Sequence, residues 1–132
     1  MTSRYGIDTS VLLRLMIGQP RDIFDYTVRR LRAFIADGDA EVFVSNQVIG
    51  EAFVSARHHY GLSPDDARNL LLEVLEGALV SPLNGSSVLN ALQAAGGPGL
   101  FDRLITDGYA REDMEVLTLD RRMSSLPGAR SL

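Results

Sequence analysis

Four acidic residues, far apart along the chain, stand where chemistry is expected: Asp8, Glu51, Asp102 and Asp120. Asp8 closes the short run "RYGID" and is followed by two small hydroxyl residues, Thr9 and Ser10. Glu51 interrupts the apolar stretch "VIGEAFV", Asp102 falls early in "GLFDRLI", and Asp120 ends "EVLTLD". Carboxylates packed together repel, and their pKa values rise. The chain has no lysine to neutralise them, so a bound divalent cation is the natural solution. Hard oxygen ligands without any cysteine favour Mg²⁺ or Mn²⁺ over zinc. Such an ion orients phosphate, stabilises charge at phosphorus and lowers the pKa of an attacking water. Each acid also has a plainer use. Asp8 can cap a helix, Asp102 can complement a helix dipole, Glu51 can be a solvated helix residue, and Asp120 can be a surface turn.

The elements that must position these acids follow from periodicity. Residues 4–8 read as a first strand, 41–44 as a second, 78–82 as a third and 115–120 as a fourth. The tail "LPGARSL" offers a fifth strand at an edge. Between them, residues 10–17, 21–36, about 46–60 and the segment after Ser63-Pro64 carry helical spacing or helix start signals, as do 86–95 and 100–112. Strands alternating with helices predict an α/β domain with a mostly parallel sheet covered on both faces. Open parallel sheets bind ligands beyond the carboxyl ends of their strands. Asp8 and Asp120 end strands there. Glu51 lies in the early turns of the helix after the second strand, and Asp102 in the first turn of the helix that leads into the fourth. All four acids are therefore expected at one edge.

Composition sets the frame. At 132 residues the chain fits one domain, residues 1–132, and 45% hydrophobic residues suffice for a core. The absence of cysteine excludes disulfides and thiolate chemistry. No apolar run approaches the roughly 20 residues of a membrane span, and the "YGI" after Arg4 is too short for a signal peptide's apolar region. A cytoplasmic protein without membrane association is expected. A net charge of −4 argues against a generally basic nucleic-acid binder, and removing the four site carboxylates leaves about zero. All 13 cationic residues are arginine, which excludes P-loop and Schiff-base lysine chemistry but retains planar phosphate recognition.

The four stretches, taken in order, resemble the motifs of PIN domains. "YGIDTSVLLRL" is similar to their opening strand and helix, "VSNQVIGEAFV" to the helix with the glutamate, "GLFDRLI" to the aspartate that opens a helix, and "VLTLDRRM" to the closing T-x-D. Length and acidic quartet resemble the VapC-type toxins of bacterial toxin–antitoxin pairs. The resemblance implies a three-layer fold with a parallel sheet of four to five strands flanked by helices. It also implies a Mg²⁺- or Mn²⁺-dependent endoribonuclease, a homodimer, and a cognate antitoxin that enters the active-site groove. Its catalytic and metal-binding acids map to Asp8, Glu51, Asp102 and Asp120. Thr118 would support the site by hydrogen bonding, and Thr9 or Ser10 would orient Asp8 or a metal water. Two departures stand out. Asp107 and Gly108 occupy a helical run that is smaller and more apolar in many members, and "RRM" stands where an aromatic often follows Asp120. Arg121 and Arg122 are therefore candidates for RNA phosphates, or solvated charges.

Other readings compete. A phosphoacceptor receiver domain also gathers aspartates at a sheet edge but needs a lysine. A haloacid-dehalogenase-type phosphatase wants an Asp at position 10, where this chain has Ser10. A non-catalytic binding module of PIN shape is the third alternative. His58 and His59 read as favourable cations at a helix C-terminus. "GGPG" (96–99) reads as a hinge before the helix of Asp102, and "RRLR" (29–32) as a solvated face.

Overall fold

The computed structural model describes residues 2–132. The chain runs β1 (Ser3–Gly6), α1 (Thr9–Ile17), α2 (Arg21–Gly38), β2 (Ala40–Val44), α3 (Asn46–Tyr60), α4 (Pro64–Glu76) and β3 (Ser81–Pro82). It continues through α5 (Ser87–Gln93), α6 (Leu100–Ala110), β4 (Val116–Thr118), a 3₁₀ turn (Met123–Ser125) and β5 (Ala129–Ser131). The alternation read from the sequence is present, and every strand pairing is parallel.

Local chemistry sets the helix ends. Ser45 caps α3 by accepting the Val48 N–H at 3.2 Å, and Ser63 caps α4 by accepting the Asp66 N–H at 3.0 Å, with Pro64 at the first helical position. Gly18 and Gly61 end α1 and α3 at φ 74° and 67°, a left-handed conformation that glycine adopts without a Cβ penalty.

The helices pack on one another as well as on the sheet. α1 lies against α2, α3 and α4; α3 also meets α6, and α5 lies between α4 and α6. Leu12, Ile49, Leu71 and Leu92, one each from α1, α3, α4 and α5, are fully buried together with Val44 of β2. Burial of each such side chain is worth about 1.5–3 kcal/mol relative to exposure.

The sheet departs from expectation. Instead of one sheet of four to five strands, the five strands form a three-stranded sheet, β1-β2-β3, and a separate pair, β4-β5. A strand buried on both faces of a parallel sheet reads as a continuous apolar run, whereas all four residues of β1 are exposed. Arg4 lies over the Phe43 ring at 4.8 Å, and Tyr5 packs on Phe34 with centroids 5.2 Å apart, both on the three-stranded side. β4 buries Val116 but leaves Leu117 63% exposed. Val116 and Met123 of this C-terminal unit are buried outside the main core cluster. β3 is also shorter than the 78–82 read from sequence: only Ser81 and Pro82 pair with β2, and residues 78–80 lie outside the ladder. No helix among the described residues is long and apolar enough to cross a membrane.

Candidate active site

Asp8 sits in the turn between β1 and α1 with extended backbone, φ −95° and ψ −179°. Its Oδ1 accepts from the Val11 N–H at 3.2 Å and the Ser10 hydroxyl at 2.6 Å. Asp8 is thus the N-cap of α1 as well as an acid at the strand end. Both bonds fall on Oδ1, leaving Oδ2 without a hydrogen-bond partner among the described residues. The Ser10 hydroxyl, followed by the Val11 N–H, holds the Asp8 carboxyl below the usual carboxylate range; both stabilise the charged form. This is the reverse of the upward shift expected of crowded acids, because Asp8 is exposed and surrounded by donors.

Asp120 repeats this arrangement at the other end of the chain. Its Oδ1 accepts from Arg122 N at 2.7 Å and Met123 N at 3.2 Å, which starts the 3₁₀ turn. Its own N–H donates to Thr118 Oγ1 at 3.0 Å. The expected support from Thr118 therefore takes the form of a side chain accepting from the backbone of Asp120. Here too Oδ2 has no partner among the described residues.

Contacts run between chain neighbours of the four acids. Thr9, beside Asp8, donates its hydroxyl to Glu51 Oε2 at 2.7 Å, and Gln47 donates to Glu51 Oε1 at 3.3 Å. Gly50, beside Glu51, faces Phe101, beside Asp102. A Cβ at Gly50 would stand 2.5 Å from Phe101 Cε1, so a larger residue there requires the Phe101 ring or α6 to shift. Arg103, next to Asp102, donates to the carbonyls of Pro98 at 3.0 Å and Gly96 at 3.2 Å. Arg122, two residues after Asp120, donates to the neighbouring carbonyl of Gly97. Each acid is thus within two residues of a contact leading to the next. Glu51 and Asp120 are exposed and Asp102 is half-buried.

Among the described residues, no three His, Asp or Glu side chains stand close enough together to hold a metal ion. The donor chemistry still suits a hard cation, since carboxylate oxygens are available and sulfur ligands are not. Mg²⁺ commonly keeps several waters and binds through one or two carboxylates plus substrate phosphates, so a three-residue cage is not required. The unpartnered Oδ2 atoms of Asp8 and Asp120 suit that role. A groove of about 710 Å³ adjoins Glu51 between α3 and α6, walled by Phe101, Ile105, Tyr109 and Met114. Phe101 and Tyr109 are 43% and 47% exposed, so their ring surfaces are available to a ligand.

One polar cluster was not foreseen. Asp107 Oδ2 accepts from Asn46 Nδ2 at 2.8 Å and from Asn84 Nδ2 at 3.1 Å, and its Oδ1 accepts from the Ser87 hydroxyl. Asn46 also donates to the Leu104 carbonyl at 3.0 Å. Asp107 is five residues beyond Asp102, so the two side chains leave α6 about 140° apart. Asp107 therefore joins α6 to α3 and α5 on a face separate from Asp102. Far from interrupting the helix, it lies within an α6 that continues to Ala110. An aspartate in the second half of an otherwise apolar-rich helix, with Asn46 and Asn84 each just past a strand end, was the available signal.

The remaining candidates are placed simply. Arg121 is exposed and its side chain has no hydrogen bond or ion pair among the described residues. His58 and His59 are exposed in the last turn of α3. Arg29, Arg30 and Arg32 are exposed on α2. No family model matches the chain, and no curated protein matches it.

Proposed function

We propose that this chain is a Mg²⁺- or Mn²⁺-dependent endoribonuclease of the PIN type, the toxin of a bacterial toxin–antitoxin pair. The observation that carries the reading is the contact path Asp8–Thr9–Glu51, Gly50–Phe101, and Asp102–Arg103–loop–Arg122–Asp120. It runs through residues next to, or within two positions of, four acids dispersed over more than a hundred residues of sequence, and so supports their belonging to one site. The resemblance of the four motifs to PIN domains supplies the reaction class.

When bound, Mg²⁺ or Mn²⁺ supplies charge neutralisation at the phosphate and activation of water. The chain's own residues do the rest. Asp8 and Asp120 offer their unpartnered Oδ2 atoms as cation ligands, while Oδ1 of each is fixed by a turn. Thr9 and Gln47 orient Glu51, and Glu51 and Asp102 are the bases available to take the proton of the attacking water. The exposed rings of Phe101 and Tyr109 beside Glu51 suit unstacked bases, which favours single-stranded or looped RNA. A homodimer, an antitoxin partner and a cytoplasmic setting belong to the same proposal.

The test is RNA cleavage by purified protein with Mg²⁺, with Mn²⁺ and with EDTA, beside Asp8→Asn prepared identically. Metal-dependent cutting that disappears in Asp8→Asn is the expected result. Folded wild-type protein that neither cuts RNA nor binds Mn²⁺ refutes the proposal. That outcome favours the non-catalytic binding module, a reading that the lack of a three-acid cluster keeps in view.

A further inference from the structure

We infer that Arg103 and Arg122 form a two-point clip for neighbouring phosphates of an RNA strand, held in position by the loop from Gly96 to Gly99. The inference rests on the nuclease reading and assigns substrate contacts that the four acids do not supply.

Three observations lead to it. First, both guanidiniums converge on consecutive carbonyls: Arg103 on Gly96 and Pro98, and Arg122 on Gly97. Gly96 and Gly97 have φ of 70° and 67°. Consecutive left-handed residues turn their carbonyls the same way, and glycine adopts that conformation without steric cost. Successive Cα atoms are about 3.8 Å apart, so the two guanidiniums are bonded to neighbouring carbonyls of one short loop. Second, their charge is not neutralised. The ion pairs among the described residues are Arg21–Asp25 and Arg130–Glu115, and neither clip residue belongs to one. Carbonyl acceptors fix a guanidinium without cancelling its charge. Third, donors remain. Arg103 uses Nε and Nη2, leaving Nη1; Arg122 uses Nη2, leaving Nε and Nη1. Guanidinium donors match phosphate oxygens in planar, paired geometry.

Position gives the clip its meaning. Arg103 directly follows Asp102, and the Arg122 N–H donates to Asp120 itself. Phosphates seated on the two guanidiniums lie beside the acids, with the strand's charge met by fixed cations. Arg121, which sequence reading ranked with Arg122, lacks this preorganisation because no contact holds its side chain. A purely structural role for the two arginines, bracing the loop before α6, would leave their remaining donors irrelevant to RNA.

Salt dependence of binding separates the two roles. A fluorescein-labelled single-stranded RNA is titrated with wild type, Arg103→Gln, Arg122→Gln and Arg121→Gln, with Ca²⁺ replacing Mg²⁺. Salt is varied between about 50 and 200 mM, and gels check that the RNA stays intact. For a single strand each lost phosphate contact flattens the plot of log affinity against log salt by about 0.7. Arg103→Gln and Arg122→Gln should each flatten it by about that amount, their double variant by about twice as much, and Arg121→Gln by less. Arg103→Lys, which keeps the charge, should restore most of the slope. Variants that melt earlier yet keep the wild-type slope overturn the clip while leaving the nuclease reading intact. A wild type with no salt-dependent RNA binding overturns both.

Discussion

Gly50→Ala is the most informative single change, because it acts where α3 and α6 carry Glu51 and Asp102. The added methyl would stand 2.5 Å from Phe101 Cε1, 3.0 Å from Cζ and 3.3 Å from Cδ1. Ordinary carbon contacts are about 3.5–4.0 Å, so the ring or α6 must yield by roughly 1 Å. Overpacking of this kind costs about 1–3 kcal/mol. Alanine is better than glycine inside a helix by about 1 kcal/mol, which offsets part of the cost. The net expectation is a loss of about 1 kcal/mol, or about 4 °C in Tm for a chain of this size. In a Phe101→Leu background the clash is relieved. The same Gly50→Ala change should then stabilise by about 1 kcal/mol, a coupling of about 2 kcal/mol across the cycle. Urea denaturation of the four proteins measures this directly, and RNA cleavage by the same four reports whether the spacing matters to activity. If Gly50→Ala alone raises stability by the full helix increment, Phe101 simply swings into solvent. The closeness of the helices then does not set the spacing of the two acids.

Two further predictions concern local hydrogen bonding. Asp107→Ala removes the acceptor shared by Asn46, Asn84 and Ser87 and should cost about 2 kcal/mol in urea denaturation; a loss below about 0.5 kcal/mol would show that water replaces it freely. Ser10→Ala removes the main cause of the lowered Asp8 pKa. A carboxyl lowered in the folded state contributes stability fully above its unfolded value, about 3.9, and loses that contribution as pH falls through the folded value. Ser10→Ala should therefore be less stable than wild type at pH 6, with the gap closing below about pH 4. A gap of equal size at pH 3 and pH 6 contradicts that account.

Much of the fold was legible because its signals are local. Ser63-Pro64 reads as a helix start and acts as one, and Gly18 and Gly61 stop helices through a conformation their neighbours cannot easily adopt. The location of Asp8 after a strand and before a helix was legible for the same reason, and its carboxylate caps that helix. What escaped depends on partners distant in sequence. Asp107 read as a disturbance of α6, because its three donors come from residues 46, 84 and 87. Arg103 attracted no notice, since its significance lies in the carbonyls of Gly96 and Pro98, in a loop that turns at glycines 96 and 97. The division of the sheet was hidden too. Strand periodicity reports which residues can pair, but not that β1 would turn Arg4 and Tyr5 toward its own three-stranded side.

That division gives the chain two zones of unequal cooperativity. β4 and β5 share hydrogen bonds only with each other as strands, and Val116 and Met123 are buried apart from the main cluster. A unit with a small buried surface and short ladders opens at lower free energy than the core. Asp120 belongs to this unit, whereas Asp8 and Glu51 belong to helices anchored by Leu12 and Ile49. Amide exchange should run fastest in the C-terminal ladder, where the Leu132 N–H donates to the Thr118 carbonyl. The candidate site thus spans a boundary between a slowly exchanging body and a readily opened flank, so a ligand that engages Asp120 together with Asp8 would also slow exchange across the whole C-terminal ladder.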